Sequence, residues 1–578
     1  MGEVSTTTES VHTESVAPDE SRPVAAIVTP LLILALTLPV WLTWMAATFN
    51  GLITAESMHY GQVSRNLATG HGFTTSVIVP ASLADRPDLI DHPDLMVAPL
   101  FVIWEALWFL IFHAGDKVCV LASSSVWILT VLLTYFFATS LFSRKAAIWT
   151  VVLLWMNPWF LNASIAATPT ALAALWITAI GWTMTARINP AEPESFPRRW
   201  FFASAAFVGL AALTDYDLIW AIGLPALFYW VRRPAANGLN QPLEFNGTVK
   251  KGFALHLWFK QRMAPRLLFD YLLIVFLVTL PWLVRNYFVT DSPFHSLKRF
   301  ELLTGTEVYP GQSIFRFFEQ PGISAASAVF NHPGEILGKG VTGFVDAMST
   351  AMAHINPLIV VLFLFGLFMP GPDGLRRVQR YILLMLVLYL LRISFYGQQF
   401  DRAIVFAPLL TLFTVGIIFS RFEIKAGEED ASPRRRRSPR LFRNLIKQPR
   451  QVKLLGACAL LSVIMLWAFR FQHDNHYKVK PSANVEHLMD HTPEHQFVLT
   501  PSPWLVAWHG RIRTVWMPQT ETSRLTLNQT FGKKIRWIYF PRKRARLPED
   551  VVPDFWWSLI SEPDKLPGYK PFSSKVTG

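Results

Sequence analysis

Long apolar runs are the feature that most constrains this chain. Runs of roughly 17–25 apolar residues are long enough to cross a ~30 Å hydrocarbon layer as helices, and about eleven are found, some short or broken by proline. They lie near 26–49, 118–142, 147–166, 169–186, 201–214, 217–231, 268–284, 356–370, 381–396, 403–420 and 454–470. Only 16% of the 578 residues are charged, well below the share in soluble proteins, which excludes a soluble multidomain enzyme. The fold class expected is a polytopic α-helical membrane protein with a small extra-cytoplasmic α/β domain at its C-terminus. No internal repeat stands out.

Lys and Arg in short loops orient such a bundle. Arg144 and Lys145, Arg187 with Arg198 and Arg199, Arg232 and Arg233 with Lys250 and Lys251, and Arg376, Arg377 and Arg380 form one alternating set with the basic block 421–453. Placing that set in the cytoplasm makes 1–25 a disordered cytoplasmic tail and 26–470 the membrane domain. Loops 50–117 and 287–355 and the segment 471–578 then lie outside. The formal net charge of +13 would suit nucleic acid, but block 421–453 alone carries eleven basic and four acidic residues. A cytoplasmic loop touching anionic lipid accounts for it, so no nucleic-acid partner is expected. Within the first loop, 97–114 is apolar yet carries Glu105, and it reads as a helix at the interface or packed on the bundle. In the tail, 496–500, 513–518 and 535–540 read as strands, with helical segments at SPWLVAWHG and 520–531. Two cysteines, both in apolar runs, exclude a disulfide framework.

The first loop carries the chemistry. Residues 54–73, TAESMHYGQVSRNLATGHGF, read as a helix with Thr54 as N-cap, ended by Gly70 and Gly72. Glu56 falls in its first turn. An acid there has two readings: a base that accepts a proton from an incoming nucleophile, or a charge that complements the helix dipole.

This stretch resembles the first periplasmic loop of the GT-C superfamily of membrane glycosyltransferases. It is most similar to the bacterial branch related to dolichyl-phosphate-mannose protein mannosyltransferases and the lipid A aminoarabinose transferase. The branch pattern of an acid, a Tyr four residues on, and a run like AxNLxxGxGF matches Glu56, Tyr60 and SRNLATGHGF (64–73), although the branch more often carries Asp at the first position. HPDLMVAPLFV (92–102), LFSRKAA (141–147), LPWLVRNY (280–287), DRAIVFAPLL (401–410) and VLTPSPWLVAWHGRIRTVWMP (498–518) follow in family order. The resemblance implies transfer of a sugar from a polyprenyl-phosphate donor to an extra-cytoplasmic glycan, lipid or protein acceptor, usually with inversion, in a bacterial inner membrane. Glu56 would be the base. Arg285 and Arg402, at extra-cytoplasmic ends of spans, would hold the donor phosphate; snorkelling to headgroups is their other reading.

The remaining constellations are weaker. Asp85, Asp88, Asp91, His92 and Asp94 crowd one stretch, and Asp91, His92 and Asp94 are candidate acceptor or divalent-cation ligands beside a plain polar loop. No cofactor is certain beyond that candidate cation. Asp215 and Asp217 read as a surface turn in preference to acceptor-sugar ligands, and Lys298 with Arg299 as a solvated pair. His487, His491 and His495 lack the Glu of an HExxH site. A transporter or lipid flippase is the rival function. It calls for charges buried in spans and paired broken helices, of which the sequence offers few.

Overall fold

The computed structural model describes residues 21–188, 197–232, 264–318, 330–369, 373–396, 400–428, 496–531, 534–540 and a few near 485–492 and 555–556. The block 429–453, the expected span 454–470, the tail before residue 21, Lys250, Lys251 and the three tail histidines lie outside them. Helices form at each expected apolar run within them. Five are long and apolar enough to cross a bilayer: Thr29–Thr48, Asp116–Leu141, Pro265–Thr290, Asp373–Tyr396 and Phe400–Ser420. Two bent pairs raise this to seven, Arg144–Trp155 with Pro158–Ile165 and Pro333–Ile355 with Pro357–Phe368, bent by 71° and 102°. The protein is an integral membrane protein.

Both bends have one local cause. Each falls at an Asn-Pro step, where proline clashes with a helical residue before it. The asparagine then caps the next helix: Asn157 Oδ1 accepts from the Trp159 and Phe160 N–H groups (3.0 Å each), and Asn356 Oδ1 from Leu358 N–H (2.9 Å). The breaks also touch, because Asn157 Nδ2 donates to His354 O at 2.9 Å. The rival transporter reading wants broken helices whose free ends face a substrate. Here the asparagines use those ends internally.

One expectation changes. Loop 287–355 is no open loop: it holds the 23-residue helix Pro333–Ile355. Its close approach to Asp373–Tyr396 is possible because Gly343 has no Cβ; one built there would lie 2.4 Å from Ser394 O. The apolar stretch 97–114 forms the 14-residue helix Pro99–Phe112, about 21 Å long and too short to span. Phe101, Val102 and Phe109 face the protein while Ile103, Leu107, Leu110 and Ile111 stay exposed.

The tail builds a sheet with the first loop. Strands β1 (Val77–Ile78), β2 (Phe497–Thr500), β3 (Arg513–Trp516) and β4 (Ile535–Ile538) pair in the order β1-β3-β2-β4, all parallel. Parallel neighbours need crossovers, which the helices Pro503–His509 and Glu521–Phe531 supply. Strands β2, β3 and β4 and both helices sit where the sequence puts them; β1 is new. Further contacts lock tail to loop. Arg65 donates to Ala507 O and Trp508 O (2.9 and 3.0 Å), satisfying carbonyls at a helix end. Trp508 Nε1 donates to Asp116 Oδ1 (2.7 Å), and its ring lies 3.0 Å from where a Gly61 Cβ would sit.

Candidate active site

The helix Ala55–Ala68 places Glu56. Thr54 caps it, its Oγ1 accepting from Ser57 N–H at 3.1 Å, and Gly70 and Gly72 follow it with φ of +87° and +73°. Residues 57–64 are all buried, so the helix is wedged between the membrane bundle and the tail. Its first turn opens on a cleft enclosing about 920 Å³ of empty space, solvent included. Glu56, His59, Tyr60, Lys298, Glu301, Arg392, Tyr396, Arg402 and Trp504 line it, with Met96, Val97, Phe315 and Ile393 among its apolar walls.

Charged groups from five segments meet at this cleft. Arg402, in the turn Phe400–Phe406, is ion-paired to Glu56 and donates through its other nitrogen to Asp215 at 3.2 Å. Asp215 follows the helix Arg198–Thr214 and also takes Lys298 at 3.3 Å and Arg392 at 3.5 Å. Arg392 pairs in addition with Asp217. Burial alone would push the Asp215 carboxyl up, but Arg392, Lys298 and Arg402 hold it below the ordinary carboxylate range. Asp215 is thus 4% exposed and no surface turn, and Lys298 is no solvated loop lysine. Arg299 does point outward. Arg392 stood in plain view as a cation inside an apolar run, which is a functional signal in itself.

A second set braces the cleft from the tail. His59 bonds Asp94 Oδ2 through Nε2 at 2.7 Å, and Trp504 Nε1 lies 3.1 Å from His59 Nδ1. Indole N–H only donates, so Nδ1 is the acceptor and Nε2 carries the proton toward Asp94. Asp94 Oδ1 also accepts from the Met96 and Val97 N–H groups at 2.9 Å each. Burial pushes its carboxyl up, but His59 and these amides bring it below the usual range.

Arg285 and the acidic stretch behave differently from expectation. Arg285 donates to Phe73 O (3.2 Å), Asp94 O (3.0 Å) and Asn286 Oδ1 (3.1 Å), and stacks on Trp282 and Phe73. It clamps the first loop and does not line the cleft. Asp91, His92 and Asp94 do not converge. Asp91 is exposed with φ of +50°, near Arg513; His92 is buried between Ser82 Oγ and Asp88 O, 2.7 Å from each. Among the described residues no three His, Cys, Asp or Glu side chains are grouped to hold a metal ion.

The cleft thus brings two carboxylates and three cations together, a set of groups able to move protons and to stabilise an anion. Residues 91–249 match the family model described as dolichyl-phosphate-mannose-protein mannosyltransferase. The fold is shared with ArnT from Cupriavidus metallidurans in the apo state (TM-score 0.51, 14% identity, 88% of this chain and 89% of that one). ArnT bound to undecaprenyl phosphate gives 0.50 at 15% identity, over 92% and 90%. The apo Archaeoglobus fulgidus oligosaccharyltransferase gives 0.54 at 11% identity, over 89% and 69%. No curated protein matches the chain. Residues 91–249 thus resemble that family, and the chain shares its fold with these membrane proteins over most of its length.

Proposed function

We propose that this chain transfers a sugar from a polyprenyl-phosphate donor to an extra-cytoplasmic glycan, lipid or protein acceptor, with inversion. The observation that carries the reading is the cleft itself, where Glu56 stands beside Arg402, Lys298 and Arg392. The acceptor hydroxyl loses a proton as it attacks the anomeric carbon, and Glu56 takes it. The donor's phosphate gains charge as its bond to that carbon breaks, and fixed cations lower the cost. Arg402, with Lys298 and Arg392, takes the role that the resemblance implies for Arg402 and Arg285; Arg285 holds Asp94 and the loop in place. The family match supports this, as does the fold shared with an ArnT whose structure contains undecaprenyl phosphate.

The basic loops put residues 421–453 in the cytoplasm and the segment 471–578 outside, in a bacterial inner membrane crossed about eleven times. The tail domain roofs the cleft through Trp504. Purified protein in nanodiscs, given defined polyprenyl-phosphate sugars and candidate acceptors, tests the reading. Glu56→Gln is expected to lower transfer by about 10²-fold or more, the ordinary worth of a general base. Near-normal turnover by that variant would remove Glu56 as the base, and no transfer from any polyprenyl-phosphate sugar would remove the function.

A further inference from the structure

Glu301 stands apart from the other charges of the cleft. It lies in the short 3-10 segment Leu297–Leu303, three residues after Lys298. Side chains at that spacing eclipse in a 3-10 turn, and both line the cleft. Yet Lys298 gives its bond to Asp215. The Glu301 carboxyl has neither a hydrogen bond nor an ion pair among the described residues.

The cations around it are already engaged. Its own segment offers Lys298. The helix Asp373–Tyr396 brings Arg392, and the turn Phe400–Phe406 brings Arg402. Asp215 and Asp217 come from the turn after Thr214, Glu56 from the first-loop helix, and Lys339, bonded to Glu301 O at 3.2 Å, from Pro333–Ile355. Lys298, Arg392 and Arg402 are thus already paired with Asp215, Asp217 or Glu56, and Lys339 is bonded to the carbonyls of Glu301, Leu302 and Thr304. Tyr396, which lines the same cleft, adds no charge, and His59 is held by Asp94. An ionised Glu301 would stand without an ion pair of its own, and a donor phosphate arriving beside it would add a second anion. Burial pushes its carboxyl up, with Lys298 and Arg392 opposing and Asp217 adding to the rise.

We propose that Glu301 is a catalytic residue that carries a proton when the donor binds, hydrogen-bonds the donor phosphate, and protonates it as it leaves. This rests on the polyprenyl-phosphate reading above. The step balances as follows. The acceptor oxygen forms its bond to the anomeric carbon, and the acceptor proton passes to Glu56. The bond from that carbon to the phosphate oxygen breaks, the oxygen keeps the electron pair, and the phosphate takes the Glu301 proton. Glu301 is then an anion beside a phosphate monoester, which favours product release. The open cleft returns both carboxyls to their starting protonation through solvent.

Farnesyl methyl phosphate is a suitable probe, a diester that stays a monoanion throughout the working range. Its binding to the full chain in nanodiscs is measured by calorimetry in buffers of different ionisation heat, from about pH 5 to about pH 9. The wild type is expected to take up about one proton per diester on the alkaline side, with affinity falling about tenfold per pH unit there. Glu301→Gln, neutral and of the same shape, is expected to bind without proton uptake and without that slope. It should also lose transfer while its KM for donor holds. Wild-type binding with no proton uptake, or uptake that survives in Glu301→Gln, overturns the role of Glu301 and leaves the donor assignment standing. No wild-type binding of the diester overturns the donor assignment, and this role with it.

Discussion

Asp215→Asn tests whether the charge network holds the site together. The substitution keeps the shape but removes the one anion shared by Lys298, Arg392 and Arg402, at 3.3, 3.5 and 3.2 Å. Asp215 is 4% exposed, so little solvent screens the loss. Removing one partner of a buried ion pair costs about 3–5 kcal/mol, because the partner charges are left buried and uncompensated. At roughly 2 °C per kcal/mol, the unfolding midpoint should fall on the order of 6–10 °C. Thermal unfolding in detergent, followed by tryptophan fluorescence, is the assay. The folded Asp215 titrates below its unfolded value, so its contribution is fully present above about pH 4 and is lost only as pH falls further. The gap between wild type and Asp215→Asn should therefore stay constant from about pH 6 to about pH 8. Lys298→Met added to Asp215→Asn should cost less than the two singly, by about 0.5–3 kcal/mol. A midpoint within about 2 °C of wild type, with additive double-variant costs, would refute the network's structural role.

Glu105 gives the opposite pH dependence. It is fully buried in Pro99–Phe112, outside the candidate spans, where burial raises its carboxyl to about 7 against the pull of Cys119 and Ser64. The folded state is penalised as pH rises above the unfolded value near 4.5, up to a limit of about 3 kcal/mol above the folded one. Glu105→Gln should thus stabilise at about pH 8 and do nothing at about pH 4; equal midpoint shifts at both would contradict this. Gly343→Ala should destabilise by about 1–3 kcal/mol, since the methyl meets backbone at 2.4 Å and backbone cannot turn aside. An unchanged unfolding midpoint would mean the helices are not in that contact. Trp504→Phe removes the donor to His59 Nδ1 and should cost about 1 kcal/mol, visible as faster proteolysis of the tail. Wild-type protease resistance would show that the bond does not anchor it.

Local features of the site were legible because local chemistry makes them. Thr54, Glu56, Gly70 and Gly72 act within one helix, and the capping seen is what their order predicts. The tail strands and helices follow from apolar runs broken by polar turns. A two-residue strand such as β1 leaves no pattern to read; it exists because β3 offers it backbone partners. The acidic stretch 85–94 misled for a similar reason. Side chains that look like a ligand set by spacing are turned apart by the fold, His92 toward Ser82 and Asp94 toward His59.

By itself, the sequence determined the membrane class, from spans that lipid forces into helices, and the first-turn acid, from its cap. Only the tertiary structure decided what that acid faces. Glu56 and Arg402 are separated by 346 residues, and Asp215 gathers cations from three segments. Ion pairing in a buried site depends on distance through space and on exclusion of water, and neither is written in the order of residues.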